Sequence, residues 1–508
     1  MSFKNALISV SDKSGLVDFL RPLIQKGLRI VSTGGTSQFL KDNGFTVVDI
    51  SEQTEFPEVM GGRVKTLHPK VHMALLSREG NAEDTAVLKQ FNVEPFDLMI
   101  CNLYPFEQTL KANPTEKELI EKIDVGGPSM LRAAAKNFQR LAVLSDPQDY
   151  SWVQKASLEN TFTLADRKKL AGKVFALTSF YDSLIAESFK TELNLETFIF
   201  GGRQVQELRY GENPQQKAWW YQQPTEKTGI HKAEILQGKT LSYNNILDLE
   251  AATSLAAKFT EATCVAVKHN NPCGVASASA MLVAVQQALK ADPVSVFGGI
   301  IAMNKNCEED TAKILSELFL ECIIAPGFSD GAKQIFAKKK NLRILVWPEM
   351  LSAKGSDKEV KSIQGGFLVQ EKDNQYTQSE WKCLSEAPDD KLKNSLLFAE
   401  KICASLKSNA IAIVSGTQTV GLGMGQVNRV DALNQAIERM QKFHPEVASV
   451  AMASDAFFPF TDSLEIAVKN KIQWILQPGG SVKDEEIFSF AKKNNINMII
   501  TGTRHFKH

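Results

Sequence analysis

Short apolar runs separated by helical stretches begin at the start of the chain. Residues 6–10 read as a strand, 15–25 as an amphipathic helix and 28–32 as a second strand. A helix over 36–42 and a strand over 45–50 follow. Strands separated by helices of this length predict a parallel sheet with crossover connections. Further apolar strands are predicted at 98–102 and 140–144, and a helix-rich tract at 165–189. A first domain over residues 1–200 accounts for this run.

Gly201 and Gly202 break the pattern. Residues 203–245 are polar, Gln-rich and punctuated by Gly211, Pro214 and Pro224, which predicts an irregular junction. Beyond it α/β patterning resumes: a helix from 247 to 258, a strand at 263–268, a helix at 278–289, a strand at 299–303 and a helix at 311–319. Later strands are predicted at 343–346, 410–415, 419–423, 449–453, 474–477 and 498–501, enough for two packed sheets. Residues 352–389 are the most charged and polar stretch and read as an exposed connection.

Composition narrows the class. A chain of 508 residues is too long for one ordinary core. With 43% hydrophobic and 23% charged residues it leaves no room for a large disordered fraction. Lys plus Arg equals Asp plus Glu at 58 each, so no net field recruits nucleic acid or an anionic membrane, and any anion binding is local. The first ten residues lack a basic leader with a long apolar core, and no apolar run reaches about 18 residues, so a cytoplasmic protein is expected. Seven scattered cysteines, none spaced C-x-x-C, signal neither a disulfide framework nor a cysteine-based zinc site.

Several clusters could carry chemistry. Residues 9–15 (S-V-S-D-K-S-G) sit where a strand hands over to a helix. Backbone N–H groups, the hydroxyls of Ser9, Ser11 and Ser14 and the Lys13 ammonium form a ready phosphate site at such a turn. Ser32, Thr33, Gly34, Gly35 and Thr36 repeat the logic after the second strand. Either turn alone is equally explained by helix capping; two of them on neighbouring parallel strands converge on one sheet edge and together favour phosphate. The loop 61–69 (G-G-R-V-K-T-L-H-P) concentrates Arg63, Lys65, Thr66 and His68. Tyr104 stands at a strand end in N-L-Y-P-F, Asp124 beside a glycine turn in I-D-V-G-G-P, and Lys136 on the Ala-rich helix that follows. Viewed singly, such a Tyr or Asp is more often structural.

In the second half, K-H-N-N-P-C-G (268–274) ends an apolar strand with a cation, an imidazole and two amides before a proline stop. The Lys268 charge would lower the His269 pKa and keep its imidazole neutral and basic near pH 7. A lone His at a strand end is usually structural, but this polar cluster costs stability unless its groups are satisfied or used. The clusters 297–300 (F-G-G-I), 454–460 (S-D-A-F-F-P-F) and 501–508 (T-G-T-R-H-F-K-H) are further oddities; the basic tail either frays or folds back into a site.

In this order and at these separations, from about residue 5 to the last, the motifs resemble the bifunctional family of aminoimidazole carboxamide ribonucleotide (AICAR) formyltransferase and inosine monophosphate (IMP) cyclohydrolase. The resemblance implies an α/β chain. A methylglyoxal-synthase-like parallel-sheet domain, the cyclohydrolase, would span 1–200. A transformylase region over 201–508 would hold two cytidine-deaminase-like α/β subdomains, roughly 201–365 and 366–508. It implies formyl transfer from 10-formyltetrahydrofolate to AICAR and then closure of the product ring to IMP. It further implies no catalytic zinc, room for a monovalent cation, a homodimer with transformylase sites at the subunit interface, and no nucleic-acid or membrane partner.

Carried over position by position, the resemblance makes Lys65, Tyr104, Asp124 and Lys136 the ring-closing residues. The two turns (Ser9, Ser11, Lys13, Ser14, and Ser32, Thr33, Gly34, Gly35, Thr36) become the phosphate cradle, joined by Arg63 and Thr66. It makes Lys268 and His269 the formyl-transfer pair, Arg209, Tyr210, Arg504 and His508 nucleotide contacts, Asn409 the group that polarises the formyl oxygen, and Phe457 and Asp462 neighbours of the pterin. Thr33, Thr461 and Lys507 depart from the commonest family spelling without replacing a catalytic group. Two other readings share the first turns: a methylglyoxal-synthase-like lyase, and a nucleotide-sensing protein that binds without turnover.

Overall fold

The first apolar runs form β1 (Asn5–Val10), α1 (Leu16–Gln25), β2 (Arg29–Ser32), α2 (Gly34–Asp42) and β3 (Val48–Asp49), with α3 (Ile50–Thr54), α4 (Pro69–Leu76) and α5 (Ala82–Gln90) after them. Then come β4 (Leu98–Asn102), α6 (Phe106–Lys111), α7 (Glu116–Ile120), α8 (Gly126–Lys136), β5 (Ala142–Leu144), α9 (Tyr150–Leu158) and α10 (Leu164–Ser188). The computed structural model describes residues 3–60, 63–189, 197–223, 226, 228–353, 356–376 and 381–508. The chain separates into two compact units, Met1–Arg203 with Gln223–Lys227, and Gln204–Gln222 with Thr228–His508.

The sheet of the first unit is parallel throughout, in the order β3-β2-β1-β4-β5. From β1 the chain builds outward on one side and then returns to the other, so the β1/β4 boundary is a topological switch point, where open α/β sheets bind ligands. Its helices follow the sequence pattern: α1 buries Leu16, Phe19, Leu20 and Leu23, one face of a 3.6-residue repeat. Pro22 lies inside α1 and has no N–H for the carbonyl of Asp18. The Gln154 amide from α9 supplies the missing bond, donating to Asp18 and Phe19 carbonyls at 2.8 Å each.

The stretch expected to be irregular carries a hairpin, β6 (Arg203–Leu208) with β7 (Ala218–Gln222), and then β8 (Glu234–Gln237), a sheet edge strand. The rest of the second unit repeats one order of elements. The first copy is α11 (Tyr243–Ala256), β9 (Ala262–Lys268), β10 (Asn271–Ala278), α12 (Met281–Ala291), β11 (Ile300–Met303), α13 (Glu309–Glu317), β12 (Cys322–Ala325), α14 (Asp330–Phe336) and β13 (Arg343–Val346). An exposed hairpin, β14 (Lys358–Ile363) and β15 (Gly366–Glu371), occupies the polar stretch expected to be a connection; a division at 365/366 falls in its turn. After β16 (Lys382–Cys383) the order recurs: α15 (Asp390–Cys403), β17 (Ile411–Ser415), β18 (Gln418–Gly423), α16 (Arg429–Phe443), β19 (Ala451–Ser454), α17 (Asp462–Lys469), β20 (Trp474–Gln477), α18 (Asp484–Lys493) and β21 (Asn497–Ile500).

The expectation of two packed sheets is corrected. The two halves share one twelve-stranded sheet, β16-β21-β20-β19-β17-β18-β10-β9-β11-β12-β13-β8. At its centre β10 runs antiparallel to β18, with Ala276 opposite Gln418. Thr419 Oγ1 accepts the Val275 N–H at 2.9 Å and donates to the Val275 carbonyl at 3.1 Å. Thr417 binds both polar groups of Ser277: its carbonyl accepts the Ser277 N–H at 2.9 Å and its hydroxyl donates to the Ser277 carbonyl at 2.7 Å. Joining the halves edge to edge satisfies two rows of backbone groups that two separate sheets would leave open.

Each half lays a helix directly on its hairpin, and glycine makes the approach possible. A Cβ on Gly274 would sit 2.1 Å from the Ala288 carbonyl oxygen, and one on Gly423 would sit 1.8 Å from that of Ala432. Neither neighbour is a flexible side chain. Gly423→Ala is therefore expected to destabilise the second unit by ~1–3 kcal/mol, the usual range for overpacking. Thermal denaturation would show a midpoint lowered by a few degrees; an unchanged midpoint would contradict this packing.

Candidate active sites

In the first unit, β1 and β2 end side by side, with Ile8 paired to Ser32. Their two turns are tied together. Ser9 and Thr33 hydroxyls lie 3.0 Å apart, and Ser32 Oγ donates to the Ile8 carbonyl at 2.8 Å. Thr36 Oγ1 accepts the Val10 N–H at 3.1 Å and donates to the Val10 carbonyl at 3.0 Å. Ser32 and Thr36 are buried. Their hydroxyls are engaged by the neighbouring strand. Ser11, Ser14, Gly34 and Gly35 remain exposed, with Lys13 and Ser9 half-buried. The first-turn N–H groups of α2, from Gly34 and Gly35, have no intrahelical acceptor and form the positive end of the helix dipole.

The switch point is locked by Asn102 at the end of β4. Its Oδ1 accepts the N–H groups of Ser11 and Asp12 at 2.6 and 2.9 Å, and its Nδ2 donates to the Asp12 carbonyl at 2.8 Å. Lys65 comes to the start of α2: a Cβ built on Gly34 would be 3.5 Å from its Nζ and 3.7 Å from Glu58 Oε1. A cation held against the positive end of a helix is unfavourable by itself and suits a shared anion.

Asp124 faces this group. Its Oδ1 accepts the Gly127 N–H at 2.8 Å, and its own N–H donates to the Tyr181 hydroxyl of α10 at 2.7 Å. Both glycines of I-D-V-G-G-P are needed for close approach, since a Cβ on Gly126 would be 2.7 Å from Thr66 Oγ1 and one on Gly127 only 2.4 Å from Asp124 Oδ2. Burial pushes the Asp124 carboxyl up, opposed by the Gly127 N–H, the Lys65 charge and the Tyr104 N–H. Lys65, beside Gly34, is thus within electrostatic reach of Asp124, with Thr66 against Gly126 and the Tyr104 backbone on the same carboxylate. Arg63 pairs instead with Glu121 on the surface. Lys136 is exposed in the last turn of α8, about 15 Å along the helix axis from Gly126. Gly61 and Gly62 of the same loop motif lie outside the described residues.

In the second unit, β9 and β10 are joined by a two-residue loop. Lys268 pairs with Asn271, and His269 (φ 52°) and Asn270 (φ 62°) are both left-handed, as in a type I′ turn. The expected proline stop is corrected: Pro272 lies within β10 opposite Val267. A register shift between Pro272 and Gly274 accommodates the residue without an N–H. Lys268 Nζ donates to the Phe297 carbonyl at 2.7 Å, while the His269 side chain is exposed. Asp248 Oδ1 on α11 accepts the Asn270 N–H at 2.6 Å. Asn271 donates to the His269 carbonyl at 3.0 Å and accepts the Lys407 N–H at 3.4 Å, which brings the turn beside the segment leading to Asn409.

Asn409 is held on both sides. Its Nδ2 donates to the Gln426 carbonyl at 2.9 Å and its Oδ1 accepts from Arg429 Nη2 at 2.8 Å. Arg429 is buried, bonds Ser454 Oγ at 2.8 Å and pairs with the fully buried Asp455, which also accepts from Ser408 Oγ at 2.6 Å. A buried ion pair is tolerated only when its remaining groups are bonded in this way. Arg209 lies over the Tyr210 ring at 5.6 Å, and the adjoining Glu212 carbonyl accepts from Asn244 of α11 at 3.3 Å, one turn before Asp248. Phe457 is half-buried in the loop beginning at Asp455, and Asp462 is exposed in the first turn of α17.

A family model described as AICARFT/IMPCHase bienzyme matches residues 134–439, and one described as MGS-like domain matches residues 15–129. The bifunctional purine biosynthesis protein PurH of Aquifex aeolicus is 43% identical over 99% of this chain and 100% of its own length. Its namesake from Persephonella marina is 45% identical at the same coverage, and that of Halalkalibacterium halodurans 46%. The chain belongs to the AICARFT/IMPCHase bienzyme family. Lys65, Tyr104 and Asp124 fall in the MGS-like match, while Lys136, Lys268, His269 and Asn409 fall in the bienzyme match. Among the described residues no group of three or more His, Cys, Asp or Glu is placed to hold a metal ion.

The basic tail, expected either to fray or to fold back, meets a polar cluster whose Lys258, Asp373, Tyr376 and Glu400 sequence reasoning passed over. The tail folds back: Ser408 N donates to the Lys507 carbonyl at 2.8 Å, and Lys507 N to Ser408 Oγ at 3.0 Å. Arg504, Phe506 and His508 line one exposed side, with Arg504 over the Phe506 ring at 4.6 Å and the Phe506 and His508 rings 5.7 Å apart. His505 turns inward and is buried, its Nδ1 2.6 Å from Asp373 Oδ2 and its ring stacked on Tyr376. Its Nε2 faces the buried Glu400 at 3.6 Å, an ion-pair distance too long for a hydrogen bond. Lys258 reaches the Tyr376 hydroxyl at 2.5 Å, and burial lowers its ammonium pKa to about 8. No motif marks Lys258, Asp373, Tyr376 or Glu400, because they come from three separate stretches of chain.

For His505 burial alone favours the neutral ring, but Asp373 and Glu400 override it and raise the pKa to about 9. Its contribution to stability is full below the ordinary value near 6.5 and is lost as pH rises through about 9. Lys258 is shifted in the opposite sense, so His505 is isolated by comparison with His505→Gln. The gap in thermal midpoint between the two proteins is expected to be largest near pH 6 and to close by about pH 10. A gap independent of pH would contradict the charged-imidazole reading.

Proposed function

We propose that the first unit closes the ring of formylated AICAR to IMP and that the second unit formylates AICAR with 10-formyltetrahydrofolate. What carries this reading is family membership together with two constellations of acid, base and cation, one in each compact unit. The chain is a bifunctional enzyme, formyltransferase and cyclohydrolase. Its formyl donor is of the folate type. The resemblance also supports a homodimer working in the cytoplasm.

In ring closure the nucleotide phosphate takes the exposed N–H end of α2 and the Ser11–Ser14 turn. The carboxamide nitrogen is a poor nucleophile, so its attack on the formyl carbon needs a proton acceptor on nitrogen and a positive group at the oxygen, which then leaves as water. Asp124, whose carboxyl is pushed up by burial, and Tyr104 serve proton movement; Lys65 serves the developing charge. Lys136, exposed in the last turn of α8, is the second cation of this reading and serves the developing charge with Lys65.

In formyl transfer the ring amine of AICAR attacks the formyl carbon. The new N–C bond forms as the bond from that carbon to the folate nitrogen breaks, the amine proton passes to His269, and the folate nitrogen regains a proton. An ammonium has three donors, and Lys268 spends one on Phe297, leaving two for the oxyanion. The Asn409 amide likewise gives one N–H to Gln426 and retains one for the formyl oxygen.

Lys65→Ala is expected to lower cyclisation of supplied formyl-AICAR by roughly a hundredfold or more while sparing formyl transfer, and His269→Ala to do the reverse. Both rates are read by absorbance with each substrate supplied separately. Near-normal cyclisation by Lys65→Ala would remove Lys65 from the mechanism, and loss of both activities in either folded variant would sink the two-site reading.

A further inference from the structure

We propose that Asp248 is a positioning residue for formyl transfer, its carboxylate holding the His269–Asn270 turn in the left-handed conformation that aims the His269 side chain. The inference rests on the reading of His269 as proton acceptor.

The turn is the first observation. Two-residue hairpin loops of this type are relaxed by glycine or asparagine, because both residues need positive φ. Here the first position is His269 at φ 52° and the second Asn270 at φ 62°, with no glycine in the pair. A left-handed His is uncommon and persists where its surroundings over-determine it. The turn N–H groups also point outside the β9–β10 ladder and need an acceptor of their own.

Asp248 supplies that acceptor from a rigid element. Its Oδ1 takes the Asn270 N–H at 2.6 Å. α11 starts in a capping box, where Ser242 Oγ accepts from Asn245 N and Asn245 Oδ1 accepts from Ser242 N, both at 3.2 Å. Its buried Leu249, Ala252 and Leu255 lie in the same core as Val265 and Val267 of β9. Helix and strand are thereby fixed to each other, and Asp248 bridges them at the turn. Asp248 is itself half-buried, and burial raises its carboxyl pKa against the opposing turn N–H groups and the nearby His269. A carboxylate in that setting is retained at a cost unless the turn needs it.

The test uses the full-length enzyme with Asp248→Ala, Asp248→Asn and His269→Ala, measuring kcat and nucleotide KM for formyl transfer. Asp248→Ala is expected to lower kcat by roughly tenfold to a hundredfold with the nucleotide KM within about twofold, as misplacement of a catalytic group does. Asp248→Asn keeps an amide oxygen for the Asn270 N–H and is expected to recover most of that loss, which a general folding defect would not predict. An inactive His269→Ala beside a fully active Asp248→Ala would overturn this inference alone. So would equal impairment of Asp248→Ala and Asp248→Asn with kcat and KM changed in step. A fully active His269→Ala would instead bring down the underlying reading of His269.

Discussion

The pairing of β10 with β18 is the constraint on which the second unit depends. It is antiparallel and reinforced by Thr417 and Thr419, whose hydroxyls bond the backbone of the partner strand. Through it two copies of one helix–hairpin–helix order become a single sheet. The same junction sets the site: with β10 fixed against β18, the turn at the start of β10 reaches Lys407, and Asn271 binds both sides. Residues more than a hundred positions apart meet because two edge strands needed partners.

Both sites use one physical device. A polar side chain at the end of a strand or on a neighbouring helix captures the N–H groups of a tight turn, so that the turn is rigid before any substrate arrives. Asn102 does this for Ser11 and Asp12, and Asp248 for Asn270. Rigid turns let reactive groups stand exposed without fraying, which is what preorganised catalysis requires. The charges are handled differently. In the first unit Lys65 and Asp124 offset each other in a half-buried setting, whereas in the second the buried Arg429–Asp455 pair serves to orient a neutral amide, Asn409.

Much of this was legible along the chain, for identifiable reasons. Strands at 98–102, 343–346 and 474–477 coincide with β4, β13 and β20, because short apolar runs bounded by polar turns leave little choice of state. The expected strand at 45–50 shrinks to Val48–Asp49, since Phe45 and Val47 are buried without belonging to it. The turns after β1 and β2 were visible as Ser, Thr and Gly clusters, but the inward aim of Ser32 and Thr36 follows from the register of β1 on β2, which no local pattern encodes. The fusion of the sheets, the passage of Pro272 through β10 and the grip of Asp248 on Asn270 are likewise long-range outcomes.

The proposed function rests on two separate sites, one for each chemistry, in different units of the chain. The most direct measurement mixes purified Lys65→Ala with His269→Ala and follows IMP from AICAR and the folate donor. If each variant lacks only one chemistry, the first supplies the formylated intermediate and the second closes its ring, so the mixture forms IMP although neither protein alone does. A mixture that forms no IMP, with both proteins folded and the formylated intermediate supplied in trans, would contradict the account.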